Sequence, residues 1–227
     1  MEEIEKSGNQ AIFFQGFCGD IDPVTNKNRR GGGGQEDLLF YGKLLAQRIF
    51  KIERYASPLS KTDLRVREKR INLPVKIPSR KEIELEKRSW LEQYNDNLPW
   101  VRFIKDWEKG MKRSYHNLKK RPYSEDIPIQ GISIGEVKIL GLPGEVFCRY
   151  ALRLRKRYPQ LFTFGYSGGN VGYLPTKGAY TITNDYACYL APKIYGLVPF
   201  APAIENLILN ASKEVLWLTQ PKALRNE

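Results

Sequence analysis

Histidine is nearly absent from this chain: the 227 residues include one, His116. Three widely spaced cysteines without a Cys-x-x-Cys pair indicate neither a disulfide framework nor a zinc ribbon. No apolar run approaches the ~20 residues of a membrane span, and the charged start, MEEIEKSGNQ, has no signal-peptide apolar region. These absences predict a protein with no transmembrane segment in a reduced, cytoplasmic setting, with export left open if a segment precedes Met1.

The positive charge of the chain is concentrated in one region. The net charge is +12, and Lys61 to Pro122 holds 18 Lys and Arg residues against 9 Asp and Glu. Both signs alternate there at helical spacing, which is typical of a solvated helix surface with i,i+4 pairs. A nucleic-acid groove would show a purer basic stripe with aromatic side chains spaced for stacking. We therefore predict no nucleic-acid partner, and we expect His116, in this region, to lie on the surface.

The hydrophobic pattern alternates between strand and helix periods. The predicted strands are Gln10 to Gln15, Thr62 to Lys76, a hairpin from Ile127 to Leu142 that turns at Gly135-Glu136, and Leu161 to Tyr166. The predicted helices are Gln35 to Tyr55, Arg80 to Tyr94, Leu98 to Leu118, Val146 to Tyr158 and a last helix that opens at Pro202. This order predicts an α/β fold, a mixed β-sheet with flanking helices, in which residues 1–227 form a single domain.

One glycine-rich stretch does not indicate a phosphate site. Asn26 to Gly34 is predicted to be a polar loop, and no Gly-Lys-Ser/Thr follows its glycines, so it is not a P-loop.

Three short segments carry the chemistry of the chain. They are FFQGFCGDIDP (13–23), LPGEVF (142–147) and GYLPTKGAY (172–180), and each places a carboxylate or a phenol beside Gly and Pro. Taken singly, each has an ordinary structural explanation. Glu145 would begin the helix that follows, where the macrodipole favours acids, and Tyr173 would be a core or interface tyrosine.

Together with NDYACYL (184–190), these segments resemble the ordered motifs of the neutral/alkaline (non-lysosomal) ceramidase family. The resemblance covers essentially the whole chain and corresponds to the second half of that family's zinc-bearing catalytic domain. It therefore implies an incomplete domain.

The resemblance also implies roles for four residues. Glu145 and Tyr173 match zinc ligands of the family, and Tyr186 matches a tyrosine thought to stabilise the oxyanion of the amide's tetrahedral intermediate. Asp22 occupies the position of a serine implicated in catalysis, so this chain departs from the family there and a different substrate is implied. The family's histidine ligands lie in the half that precedes Met1. The chain is therefore expected to be a fragment, the product of a truncated or misannotated reading frame, or one half of a split enzyme whose partner is a separate N-terminal half.

Three hypotheses follow from these observations. The first is a ceramidase-like, zinc-dependent hydrolase of an amide (N-acyl) bond in a small-molecule or lipid substrate, incomplete or inactive as this chain alone. The second is a non-catalytic protein of ceramidase fold that binds a ligand or a partner. The third is an unrelated basic protein that binds nucleic acid or an anionic membrane, which would show a steep loss of affinity with salt.

Overall fold

A computed structural model describes residues 1–24, 33–183 and 185–218. The helices are α1 (Glu2–Glu5), α2 (Gln35–Glu53), α3 (Arg80–Gln93), α4 (Leu98–Lys120), α5 (Cys148–Arg155), α6 (Ala191–Ile194) and α7 (Ile204–Leu218). The strands are β1 (Leu64–Pro74), β2 (Tyr123–Ile134), β3 (Val137–Gly141), β4 (Glu145–Val146), β5 (Leu161–Phe164) and β6 (Tyr173–Leu174). A 3-10 turn (Lys177–Thr181) and a π-helical turn (Tyr186–Leu190) precede α6.

The main sheet has four strands in the order β1-β2-β3-β5. The first two pairs are antiparallel, and the β3–β5 pair is parallel, with α5 crossing between the two strands. Gly135 turns the β2–β3 hairpin with a positive φ of 55°, a conformation that glycine adopts without steric cost. This arrangement confirms the predicted α/β fold with a mixed sheet and flanking helices.

One face of the sheet carries the main core. Helices α5 and α7 pack there, and α7 approaches β2 so closely that a Cβ on Gly131 would lie 3.0 Å from the side chain of Val215. Ile129, Leu140 and Ile208 are fully buried in this layer. Close-packed apolar burial of this kind supplies most of the stability of such a layer.

The opposite face of the sheet carries a row of apolar side chains. Val66, Ile132, Ile139 and Phe162 are cross-strand neighbours in consecutive strands and form a continuous row. Val66 and Phe162 are 51% and 54% exposed, and in the described part of the chain the helices that pack on the sheet lie on the other side. We call this row the open face. Antiparallel sheets commonly have one face in solvent, but that face then carries polar side chains. Because this row is apolar, the open face is a surface available for a further layer.

Two local predictions were wrong. Residues 10–15 form no strand, and Phe13 and Phe14 are exposed. The carbonyl of Gln15, at the end of this segment, accepts a hydrogen bond from Gly165 N at 2.9 Å. An apolar run without a ladder partner has nothing to hold it as a strand. Glu145 does not begin a helix either, because α5 starts three residues later with Phe147 as its N-cap. Glu145 instead belongs to strand β4.

The remaining predicted elements are present with small shifts of their ends. Helix α5 is shorter than predicted, and His116 is exposed on α4 as expected. Most of the predicted loop 26–34 lies outside the described residues. None of the helices in the described ranges is long and apolar enough to cross a membrane.

Candidate functional site

The second and third predicted segments meet through a short parallel pairing. Strands β4 and β6 pair so that Glu145 and Tyr173 are direct neighbours, and Glu145 N donates to Gly172 O at 2.9 Å. The two strands can approach closely because residue 144 is a glycine. Its φ is +135°, and a Cβ at this position would lie 2.4 Å from the Gly172 carbonyl oxygen. The Pro-Gly before Glu145 is therefore a structural requirement for bringing the carboxylate beside the phenol.

The Glu145 carboxylate lies among phenols. The Tyr195 hydroxyl donates a hydrogen bond to Glu145 Oε1 at 2.5 Å, and Tyr173 is the strand neighbour of Glu145. The rings of Tyr173 and Tyr195 are stacked, with their centroids 6.4 Å apart, and Tyr186 meets Tyr173 edge-on at 5.7 Å. These four residues are called the tyrosine cluster below.

The cluster strongly disfavours further negative charge. Burial, followed by interaction with the Glu145 carboxylate, raises the pKa of Tyr173 well above its ordinary value. The hydrogen bond to Glu145, followed by burial, does the same to the pKa of Tyr195. Burial and the nearby Cys18 raise the pKa of Tyr166 to about 12. Each phenol thus stays protonated beside the carboxylate, and a cation placed there would reverse this by favouring the ionised forms.

The first predicted segment joins the same site. Gly19 N donates to Val146 O at 2.8 Å, and a Cβ on Gly19 would lie 2.3 Å from the Glu145 carbonyl oxygen. Asp20 accepts from Cys148 N at 2.5 Å, at the start of α5, where a carboxylate complements the helix dipole. Asp22, two residues further on, is exposed.

All four predicted site residues line one open cleft of about 1380 Å³: Asp22, Glu145, Tyr173 and Tyr186. The structure therefore brings them together, while their catalytic and metal-binding roles remain predictions. In all, the cleft wall carries four carboxylates, two of which are those of Asp22 and Glu145, and two guanidinium groups. These belong to Asp20, Asp22, Glu145, Asp185, Arg149 and Arg153.

Sequence reasoning missed two residues of the site, Tyr195 and Tyr166. Tyr195 lies 50 residues from the carboxylate that it contacts, and no local periodicity marks it. The signal that could have found Tyr166 is its place directly before Ser167-Gly168-Gly169, at the end of a buried strand.

Zinc is the metal that the ceramidase resemblance implies. Glu145 supplies an ordinary zinc ligand and Tyr173 a rarer one, so the donor types fit one side of a site. Zinc needs three or four convergent protein donors. Across residues 1–24, 33–183 and 185–218, no group of three His, Cys, Asp or Glu side chains could hold a metal ion. The described residues therefore do not complete a zinc site.

Comparison with solved structures identifies the fold. The neutral ceramidase from Pseudomonas aeruginosa aligns with 97% of this chain at a TM-score of 0.54 and 14% sequence identity. The fold is ceramidase-like. The match spans 38% of the length of that ceramidase.

The other comparisons with known proteins add little. A structure described as ceramidase complexed with C2 aligns with 40% of this chain and 14% of its own, at a TM-score of 0.30 and 19% identity, which is too low to support an argument. No family model and no curated protein matches the sequence.

Proposed function

We propose that the cleft is one part of a ceramidase-like, zinc-dependent site that hydrolyses an amide (N-acyl) bond. The observation that carries this proposal is the tyrosine cluster: Glu145 and Tyr173, far apart in sequence, are paired neighbours in adjacent strands on the wall of a large cleft. The ceramidase-like fold is consistent with this proposal, since the structure that aligns with the chain is named a neutral ceramidase. For this chain, the activity is our inference from the site.

Each residue has a role that suits its chemistry. Glu145 and Tyr173 would hold the metal, whose general contribution to hydrolysis is to polarise a carbonyl and to lower the pKa of water to about 7. Tyr186, on the same wall, would donate a hydrogen bond to the carbonyl oxygen as it gains charge. Asp22 would act as a general base or would hydrogen-bond a polar group of a small-molecule or lipid amide.

The remaining donors would come from histidines outside residues 1–227, either in a further part of the same protein or in a separate partner. Two observations are consistent with this: the described residues do not complete a metal site, and the open face leaves one side of the sheet uncovered. The two features are connected, because Phe14 stacks on Phe164 at the edge of the open face and the next residue, Gln15, lines the cleft. A layer laid over the open face would thus reach the cleft wall.

Free imidazole can replace the missing histidine donors in a test that uses the chain as it is. Purified chain is titrated with Co²⁺, a spectroscopic substitute for zinc, at increasing imidazole concentrations, and binding is followed by visible absorption. We expect Co²⁺ binding to approach one ion per chain when imidazole is present. Tyr173→Phe and Glu145→Gln should each abolish this binding, because each removes one of the two oxygen donors.

The matched control is Glu136→Gln, which removes a carboxylate from the exposed β2–β3 turn and should leave the titration unchanged. Co²⁺ binding that does not depend on imidazole, or that survives both cluster substitutions, would contradict the proposed metal site. Hydrolysis of a fluorogenic N-acyl amide by the imidazole-supplemented chain then tests the reaction itself.

The second candidate function is ligand or partner binding without catalysis. Asp22, in place of the serine that the resemblance calls for, favours it, because a carboxylate is not a neutral hydroxyl. In that case an N-acyl amide probe would still bind to the Glu145→Ala variant, and no condition would yield Co²⁺ binding at the cluster.

A further inference from the structure

Lys193, on α6, is a charged side chain enclosed by aromatic rings. It is 5% exposed, and its ammonium lies 3.3 Å from the centroid of Tyr189, 5.3 Å from that of Trp90 and 5.8 Å from that of Trp107. Cation–π contacts of this kind are strongest where the cation is desolvated. Trp90 belongs to α3 and Trp107 to α4, so one lysine contacts both helices of this hairpin.

The charge of Lys193 is also paired. Its Nζ lies 2.8 Å from Glu86 Oε1 on α3 and donates to the Tyr189 backbone oxygen at 2.6 Å. Burial, followed by interaction with Glu86, raises the pKa of the Tyr189 phenol to about 12. Desolvation lowers the pKa of Lys193 itself.

In the sequence, Lys193 lies between Tyr186 and Tyr195, which are both members of the tyrosine cluster. The π-helical turn starts at Tyr186 and continues directly into α6, and Tyr195 is the C-cap of α6. Tyr195 N donates to Ala191 O at 3.0 Å, so Tyr195 is fixed to the same helical turn as Lys193. Moving Lys193 would therefore move the phenol that donates to Glu145.

We infer that Lys193 is a positioning residue: through it, the α3–α4 hairpin holds the segment 186–195 so that Tyr195 and Tyr186 reach the Glu145–Tyr173 pair. The functional role of the cleft rests on the proposed function, but the contact of Lys193 with the α3–α4 hairpin does not.

Stability alone is a weak reason for this arrangement. A buried ion pair is often no more stabilising than apolar side chains of similar volume, and methionine would fill much the same space among the rings. What an apolar side chain lacks is direction. The ammonium of Lys193 must face Glu86 on α3, and this contact fixes the rotation of segment 186–195 against the hairpin.

The test measures the Tyr195–Glu145 contact directly. The phenols are labelled with ¹³C, Tyr195 is assigned by its loss in Tyr195→Phe, and its titration is followed by NMR in the wild type and in Lys193→Met. In the wild type the pKa of Tyr195 is raised by Glu145. If Lys193 positions the segment, Lys193→Met lowers that pKa by about 1 or more toward the ordinary ~10.

Two further variants keep the result interpretable. Lys112→Met removes a lysine that pairs with Glu84 and Glu108 across the same hairpin without contacting the segment, and it should leave the Tyr195 titration unchanged. If Lys193→Met does not fold, the double variant Lys193→Met/Glu86→Gln removes both charges together and should fold, with the same fall in the Tyr195 pKa.

An unchanged Tyr195 titration in the folded Lys193 variant would overturn the inference. So would an equal fall in Lys112→Met, because the effect would then be general loosening of the hairpin. Failure of imidazole-dependent Co²⁺ binding in the wild type, with the Tyr195 result as expected, would count against the proposed function and leave the positioning role standing.

Discussion

Glu205 provides the sharpest test of how the cleft wall is held. It lies in the first turn of α7 and is 7% exposed. Its carboxylate accepts from the guanidinium of Arg153 on α5 and from the backbone N–H of Lys177, the first residue of the 3-10 turn. Since Gly178 and Ala179 in that turn line the cleft, Glu205 connects the core helix to the wall.

We expect Glu205→Ala to lower the free energy of unfolding by about 3 kcal/mol. Breaking a buried ion pair costs ~3–5 kcal/mol, and the lower end applies because the Arg153 side chain is 45% exposed and can be rehydrated. For a chain of this size, about 3 kcal/mol corresponds to a fall in Tm of roughly 6–12 °C. Glu205→Gln keeps one acceptor and should cost about 1 kcal/mol.

Urea unfolding monitored by circular dichroism measures both variants. Glu214→Ala is the matched control, because Glu214 lies on the same helix but pairs at the surface with Lys69, where an ion pair contributes ~0–1 kcal/mol. If Glu205→Ala and Glu214→Ala destabilise the chain equally, the reasoning is refuted.

Three other predictions concern pH, backbone approach and the cluster. Lys112 and Lys87 lower the pKa of Glu108 from 4.5 to about 2, so the stabilisation from this carboxylate is present above pH 4.5 and lost as pH falls toward 2; the stability difference from Glu108→Gln should shrink over that range in urea titrations. Gly19→Ala should cost ~1–3 kcal/mol in the same assay, because its Cβ meets the Glu145 carbonyl, and no loss would contradict that approach. Glu145→Gln should lower the pKa of Tyr195, measured by phenolate absorbance, since the negative charge that opposes ionisation is gone; a pKa equal to that of the wild type would contradict the contact.

Long periodic elements could be predicted from the sequence. Helix α4, with Asn97 as its cap and Pro99 in its first turn, and the hairpin that turns at Gly135 follow from local signals that span many residues. The strand predicted at 10–15 was wrong because an apolar hexapeptide carries no record of whether a ladder partner is present. Strand β4 was missed because two residues are too short to show a period.

The candidate site, like the fold, was predicted only in part from the sequence. The resemblance of four ordered segments to the ceramidase family, and not any local pattern, brought Asp22, Glu145, Tyr173 and Tyr186 into one hypothesis. Their contact depends on distant backbone: Gly144 against Gly172, and Gly19 against β4.

Composition and periodicity sufficed for the fold class and for the main helices and strands, and the resemblance to the ceramidase family singled out the acid and the phenols to examine. The folded chain alone showed that Tyr195 reaches Glu145, that Lys193 is enclosed by the α3–α4 hairpin, and that one sheet face is open. The physical reason is range. Local propensity acts over a few residues, whereas these contacts join side chains 50 to about 100 positions apart and depend on packing of the whole structure.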